Sequence, residues 1–169
     1  MEFCREEFVA TLLSNDYGLT KKKLLTLYQS IVRPIMEYAS PVWSPWQVKD
    51  KEILQKTQDR CLRLCKEHVD LESLEDRRKK TDLVETFKFK RGFYKTPSSV
   101  FFKDSHTTQL RGHSQKIFKR RSRLDVAKNF FSNRVVDPWN SLDEATVSVD
   151  KPKSFKNIIK KSCVAVHRG

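Results

Sequence analysis

The side chains in this sequence that could do chemistry are mostly basic, and they are clustered. Lysine and arginine number 34 against 21 aspartate and glutamate residues, which gives a formal net charge of +13 at pH 7. Such an excess indicates a polyanionic partner, and nucleic acid is the first to consider. Lysine and arginine suit phosphate contacts, because neutralising phosphates releases counterions and gives affinity without reading base sequence.

Two clusters account for much of this charge. The first lies on a predicted helix that begins near Ser73 and comprises Arg77, Arg78, Lys79, Lys80, Lys88, Lys90 and Arg91. The second lies in a stretch without helical periodicity and comprises Arg111, His113, Lys116, Lys119, Arg120, Arg121 and Arg123. We expect both to contact phosphates, although solvated surfaces also carry charge runs. Phe118, inside the second cluster, is either a stacking surface for an unpaired base or a core residue.

The sequence offers no catalytic or metal-binding constellation. Neither GxGxxG nor GxxxxGK[ST] occurs, and the chain holds only 4 glycines. Cys61, Cys65 and His68 have helical spacing and could supply three zinc ligands, but structural zinc requires four. Buried thiols on a helix explain the two cysteines more simply. We therefore expect no catalytic residue, no metal site and no cofactor in this chain.

The cysteines and the hydropathy of the sequence indicate which cellular compartment to expect. Four cysteines at irregular spacing indicate reduced intracellular thiols rather than a disulfide framework. No apolar run approaches the roughly 18 residues that a membrane span requires, and residues 1–5 open no signal-peptide pattern. The expectation is an intracellular chain, nuclear or cytoplasmic, that is neither secreted nor membrane-bound. The tripeptide at 119–121 is similar to a short nuclear import signal.

The elements that must position these clusters are predicted to be mainly α-helical. An apolar stripe after Thr20 predicts a helix that breaks at Pro34, since proline cannot continue the hydrogen-bond ladder. Further helices are predicted from Asp50, from Ser73, from Asp125 to a point before Pro138, and over 152–163. Residues 107–123 favour a hairpin or an extended loop.

Beyond Pro97 the helical spacing of apolar residues gives way to alternating apolar and basic residues, and this change predicts two unequal lobes. Residues 1–19 form an unassigned N-terminal segment, expected to be helical, and 20–95 form a helical domain. Residues 96–106 are a linker, 107–163 a basic α-rich region that could include a β-hairpin, and 164–169 a tail. Three tryptophans are expected to anchor the cores, namely Trp43, Trp46 and Trp139.

Five ordered blocks carry a resemblance to a known family. They are Leu27-Tyr28-x-x-Ile31-Val32-Arg33-Pro34-x-x-Glu37-Tyr38-Ala39-x-Pro41-Val42-Trp43-Ser44-Pro45, Leu54-Gln55-Lys56-Thr57-Gln58, Leu74-Glu75-Asp76-Arg77-Arg78-x-x-x-Asp82-Leu83, Arg111-Gly112-His113-Ser114, and Phe130-Phe131-Ser132-x-Arg134-Val135-Val136-x-x-Trp139-Asn140-Ser141-Leu142, with Ser154-Phe155-Lys156 after them. Over about residues 20–162 the chain resembles the thumb and tail region of non-LTR (LINE-type, jockey-like) retrotransposon reverse transcriptases.

The resemblance implies a thumb-like helical bundle over 20–95 that grips a primer–template duplex, either RNA–DNA or DNA. The full family uses divalent metal, Mg²⁺, held by palm aspartates that include an Asp-Asp pair. This sequence contains no Asp-Asp dipeptide, and it is shorter than the family between Cys65 and Leu74. The resemblance therefore implies a non-catalytic, nucleic-acid-binding fragment of an RNA-directed DNA polymerase, with the missing palm domain as a further partner.

Two other interpretations stay open. The chain could be a free-standing protein-interaction module, whose basic surface meets an acidic partner and whose apolar surface around Tyr38 and Trp43 lacks its former cover. It could also be a relic of such an element with no selected function. The oligomeric state is open in all three cases.

Overall fold

The computed structural model of this chain describes residues 21–65, 71–105 and 112–166. The described part of the chain is mainly helical, so the predicted fold class is confirmed. Across these three ranges there is no β-sheet. The helix predicted for residues 1–19 lies outside the described residues.

The first described helix does not break at Pro34, so that prediction is wrong. Helix α1 (Lys21–Leu27) runs into a π-helical turn (Tyr28–Val32) and then into α2 (Arg33–Glu37). The Arg33 amide donates to the Tyr28 carbonyl, five residues back, and Pro34 lies in the first two positions of α2. Proline has no amide hydrogen, so the helical run continues past Pro34 with one backbone hydrogen bond missing, directly after the π-helical turn.

Three helices match the sequence pattern closely. They are α4 (Val48–Cys65), α5 (Leu74–Lys90) and α10 (Pro152–Val166). A short α3 (Ser40–Trp43) precedes them, and a 3-10 turn (Ser98–Val100) follows α5. Helix α10 buries the apolar side chains Phe155 and Ile159, as its pattern predicts. The buried faces of the other two are partly polar, with Gln58 on α4 and Asp82 and Thr86 on α5.

The single helix predicted from Asp125 is in fact three short ones. They are α6 (Asp125–Lys128), α7 (Phe131–Arg134) and α8 (Val136–Asn140), and α9 (Glu144–Val147) follows. Phe130 is extended, with φ −65° and ψ 146°, so it separates α6 from α7. Pro138 lies inside the first turn of α8, where the predicted stop is therefore wrong.

The described residues fall into two compact units. The N-terminal unit contains residues 21–40, 45–65 and 71–75, and the C-terminal unit contains 41–44, 76–105 and 112–166. The boundary between the two units follows Glu75, and the described residues of the 96–106 segment lie within the C-terminal unit. Residues 76–90 belong to the C-terminal unit because Phe87 stacks on Phe155, with ring centroids 4.4 Å apart.

Each unit has its own core. In the N-terminal unit it consists of Leu24, Tyr28, Val32 and Cys61, and the buried Tyr28 hydroxyl donates to Gln58 Oε1 at 2.9 Å. The larger core of the C-terminal unit is built around Phe87, Phe131, Val136, Trp139 and Phe155. Trp139 therefore anchors a core as predicted. Trp43 and Trp46 do not, because they are 39% and 42% exposed.

The expected hairpin is reduced to one antiparallel bridge among the described residues. It joins Asp104 to Ile117, and the Ser105 and Phe118 amides donate across it to Lys116 and Lys103 carbonyls at 3.0 and 2.7 Å. The bridge fixes where Ile117 lies and therefore where the basic residues after it begin. Within the described ranges no helix combines the length and the apolar character that crossing a membrane requires.

Candidate nucleic-acid interface

The most exposed of the predicted site residues lie in an irregular segment that we call the basic arm, residues 118–123. It runs from Ile117 to the start of α6 and has neither helix nor strand. Phe118 is 50% exposed. The four basic side chains of the arm are also exposed, namely Lys119, Arg120, Arg121 and Arg123. The sequence from 105 to 124 contains no acidic residue, so the segment itself carries only positive charge.

A side-chain amide fixes the start of the arm. Asn140, at the end of α8, accepts from the Ile117 amide through Oδ1 and donates to the Ile117 carbonyl through Nδ2, both at 2.9 Å. Ile117 itself is buried. Asn140 therefore takes the place of a neighbouring strand, and it holds the backbone from which the arm departs.

The turn before Ile117 is tied to Trp139. The indole Nε1 donates to the Gln115 carbonyl at 2.8 Å. The buried His113 accepts from the Gln115 amide at Nδ1, so Nε2 carries the proton and donates to the Trp139 carbonyl at 2.9 Å. Both ring nitrogens of His113 therefore make hydrogen bonds within the protein, so the geometry supports a structural role for His113 and not a phosphate contact.

A carboxylate holds the same turn from another side. Glu144, the first residue of α9, accepts from the Ser114 amide at 2.7 Å and from the Ser114 hydroxyl at 2.9 Å. These hydrogen bonds lower the pKa of Glu144 below its ordinary value of 4.5, since they favour the ionised form. The turn is therefore tethered by a group that is charged at neutral pH.

A second amide fixes the far end of the arm. Asn133 Nδ2, on α7, donates to Ser122 Oγ at 2.8 Å and to the Ala127 carbonyl at 2.7 Å. The arm is thus held at Ile117 and at Ser122, and the residues between are presented to solvent. Preorganisation of this kind reduces the ordering cost when a ligand binds.

Most arm cations are not neutralised by carboxylates of the described residues. Lys119 pairs with Asp137, an exposed pair of the kind that contributes little to stability. Arg120, Arg121 and Arg123 make no ion pair with any described residue. Lys103, brought alongside by the bridge, lies with its Nζ 5.6 Å from the Phe118 ring centroid. Three arginines are therefore available to bind an external anion.

The first basic cluster, which lies on and just after α5 and which we call the α5 cluster, differs from the arm. Most of its charged groups make ion pairs or hydrogen bonds within the protein. Lys79 lies 3.6 Å from Asp76, Lys88 lies 2.6 Å from Glu85, and Lys90 pairs with Asp104. Arg91 donates to the Val147 carbonyl at 3.0 Å. Burial alone lowers the pKa of Lys88, but the hydrogen bond and charge of Glu85 outweigh it and raise that pKa above 10.5.

Arg78 is buried, which removes it from the predicted phosphate-binding surface. It is 4% exposed, and its guanidinium carbon lies 6.0 Å from the centroid of the Trp43 ring. Arg77 and Lys80 are half-buried on the same helix. Lys116 is half-buried before the arm, and Arg111 lies outside the described residues. The structure therefore brings the arm together as one surface but leaves little of the α5 cluster available.

A buried ion pair supports α7 and with it the end of the arm. Arg134 donates through Nε and Nη2 to the two Asp82 oxygens at 2.8 and 3.0 Å, and Nη2 also donates to the Pro41 carbonyl at 3.0 Å. Burial raises the pKa of Asp82 above its ordinary 3.8, against the opposing effect of Arg134. This pair attaches residues 41–44 to the C-terminal unit.

The zinc hypothesis gains no support from the described geometry. Cys61 is a buried free thiol in the core of the N-terminal unit. The Cys65 side chain and His68 lie outside what the structure describes. Among the described side chains, no group of three or more potential ligands is close enough to hold a metal ion.

The sequence did not reveal the residues outside the arm that hold it in place. Asn140, Asn133 and Lys103 are separated from their partners by 11 to 23 residues or joined through the bridge, so no local spacing reveals them. The sequence prediction also left the outer face of α10 out of the proposed interface, although that face carries Lys153, Lys156, Lys160 and Lys161. The absence of any acidic residue in that helix is the signal that could have identified it.

Comparison with known proteins adds no relative to this description. No family model matches the chain, and searches of curated proteins and of solved structures find no significant match.

Proposed function

We propose that this chain binds nucleic acid by contacting phosphates with its basic arm, without catalysing a reaction. The observation that carries the proposal is the exposure of Arg120, Arg121 and Arg123 on a segment anchored at both ends and free of acidic residues. Arginine is well suited to this task because its planar guanidinium can donate two parallel hydrogen bonds to a phosphate.

The resemblance to retrotransposon reverse transcriptases gives this binding a context. In that context the chain is the thumb and tail part of an RNA-directed DNA polymerase, and it grips an RNA–DNA or DNA primer–template duplex inside the cell. Phosphate contacts without base readout fit this role, since a polymerase must hold any sequence. The palm, which would supply the metal-binding aspartates, is then a protein partner.

The test is a titration of the full chain with a short RNA–DNA duplex at salt concentrations from about 50 to 300 mM. Each phosphate contact contributes about 0.9 to the slope of log affinity against log salt. The variant Arg120→Gln/Arg121→Gln/Arg123→Gln should therefore lower the slope by up to about 2.7. Its melting temperature should stay close to that of the wild type, since these side chains make no ion pair within the described structure.

A matched variant separates the arm from net charge. Lys49, Lys56 and Arg60 are exposed on α4, so Lys49→Gln/Lys56→Gln/Arg60→Gln removes the same three charges from the N-terminal unit. We expect it to reduce the slope much less than the arm variant does. Equal losses in the two variants would show that binding follows total charge, and the arm would then be no specific site.

A second candidate function is supported by a different observation. Tyr38 and Val48 are 78% and 68% exposed in the N-terminal unit, and Trp46 is partly exposed beside them in sequence. Large apolar side chains that stay exposed on one unit favour a protein partner that covers them. A chain that binds no nucleic acid at any salt concentration, yet self-associates through these residues, would favour the protein-interaction module.

A further inference from the structure

Ser122 is the single hydroxyl of the basic arm, and three consecutive basic residues precede it. The sequence is Lys119-Arg120-Arg121-Ser122. An enzyme that recognises basic residues before a serine reads them with carboxylates, because guanidinium and carboxylate groups pair through two parallel hydrogen bonds. Such an enzyme needs the substrate segment in an irregular, accessible conformation, so that both the cations and the hydroxyl can enter its cleft.

A second site in the chain has the same basic flank but fails this structural requirement. Thr81 follows Arg78, Lys79 and Lys80. It lies in the middle of α5, its hydroxyl donates to the Arg77 carbonyl at 3.0 Å, and Arg78 is buried. Sequence alone would rank the two sites together, whereas the structure separates them.

The hydroxyl of Ser122 is held by one side-chain contact, and its partner amide has a second hydrogen bond that does not depend on Ser122. Asn133 Nδ2 donates to Ser122 Oγ at 2.8 Å and also to the Ala127 carbonyl at 2.7 Å. When Ser122 turns outward, the Asn133 amide keeps its second acceptor. The residues on either side, Arg121 and Arg123, are already exposed.

We propose that Ser122 is a phosphorylation site for an arginine-directed serine/threonine kinase, with a nucleoside triphosphate as the phosphoryl donor. The Ser122 oxygen attacks the γ-phosphorus, so an O–P bond forms while the bond from that phosphorus to the β–γ bridging oxygen breaks. The nucleoside diphosphate leaves, and the hydroxyl proton passes to the kinase's catalytic carboxylate.

The modification would act on the same surface that we propose for nucleic acid, so this consequence rests on the proposed function. A phosphoserine carries about −1.5 to −2 charges at neutral pH and accepts strongly from arginine. At Ser122 the phosphate lies between Arg121 and Arg123 in the chain, where it would pair with these arginines and compete with an external phosphate. We therefore expect phosphorylation to weaken duplex binding at moderate salt on the order of tenfold.

The test begins with modification alone. The folded full-length chain is incubated with an arginine-directed kinase and MgATP, and phosphate is located by mass spectrometry. We expect one phosphate, at Ser122. It should be lost in Ser122→Ala, retained on the new hydroxyl in Ser122→Thr, and unaffected in Thr81→Ala. A folded chain modified at another residue, or not modified, would overturn the proposal.

The second step compares phosphorylated and phosphatase-treated chains in the duplex titration. Weaker binding of the phosphorylated form, restored by the phosphatase, supports both the site and its consequence. Phosphate at Ser122 with unchanged duplex affinity would overturn the role of the arm in nucleic-acid binding, while Ser122 would stand as a modification site. The two proposals can therefore fail separately.

Discussion

Single side chains replace regular secondary structure around the basic arm. The Asn140 amide makes two backbone hydrogen bonds to Ile117, and the Glu144 carboxylate makes two hydrogen bonds to Ser114. At the buried Ile117, a backbone group that loses such a bond costs about 1–3 kcal/mol. The position of the arm thus depends on a few residues that are neither basic nor part of it.

The tether at Glu144 should respond to acid. Its pKa is lowered from 4.5 by the Ser114 hydrogen bonds, so the tether is complete above pH 4.5 and is lost as the pH falls through the lower folded value. We expect the Ser114 amide resonance to titrate with a midpoint below 4.5. Glu144→Gln should remove that titration. A midpoint at or above 4.5 would contradict the assignment.

At the scale of elements, the Asp82–Arg134 pair joins α5 to α7 and reaches the 41–44 segment. The Asp82 side chain is 7% exposed and that of Arg134 is 19% exposed, so the two charges are largely removed from water. Removing one charge leaves the other buried without a partner, which is costly. Replacing both by apolar groups of similar size can be far less harmful.

We therefore expect Asp82→Asn to lose about 3 kcal/mol of unfolding free energy in a urea titration. Asp82→Leu/Arg134→Met should lose less than the single variant, because burial already raises the pKa of Asp82 and makes its charged form costly. Glu75→Gln breaks the half-exposed contact with Lys51 and serves as the control, with an expected loss of about 1 kcal/mol or less. A double variant worse than the single one would show that the pair stabilises the unit on balance.

Local periodicity was sufficient for the long helices and insufficient for what lies between them. Helices α4, α5 and α10 could be predicted from apolar residues at helical spacing. The polar side chains that α4 and α5 also bury, such as Gln58 and Asp82, could not. The passage through Pro34 could not, because it depends on a π-helical turn that the tertiary packing of Tyr28 and Val32 supports. The charge of the arm was visible in sequence, but its anchors come from Asn140 and Asn133. The burial of Arg78 could not be predicted, because its neighbours on α5 give no sign that it packs against Trp43.

For the whole molecule, two forces between copies act in opposite directions. The net charge of +13 makes copies repel, whereas the apolar side chains exposed in the N-terminal unit favour association. Charge repulsion between copies acts over about 10 Å at 0.1 M salt and is screened as salt rises. Apolar contact between copies is not weakened by the same screening. The balance between solubility and self-association should therefore depend on ionic strength.

We expect the mass measured by sedimentation to rise as salt increases from about 0.05 to 0.5 M. The variant Tyr38→Ser/Val48→Ser should stay monomeric at both salt concentrations, because it removes two of the most exposed apolar groups. A wild-type mass that does not change with salt, or that falls, would argue against association through these residues. The Arg120→Gln/Arg121→Gln/Arg123→Gln variant should associate at lower salt than the wild type does.

The exposed, irregular arm also marks where the protein is vulnerable to trypsin-like proteases, which cut after lysine and arginine. Phe87 precedes the arm and Phe155 follows it, yet their rings stack 4.4 Å apart in one core. A chain nicked in the arm should therefore migrate as one species on a native column and as two fragments on a denaturing gel. Bound duplex should slow the cut, so the rate of nicking becomes a direct measure of how much of the arm is covered.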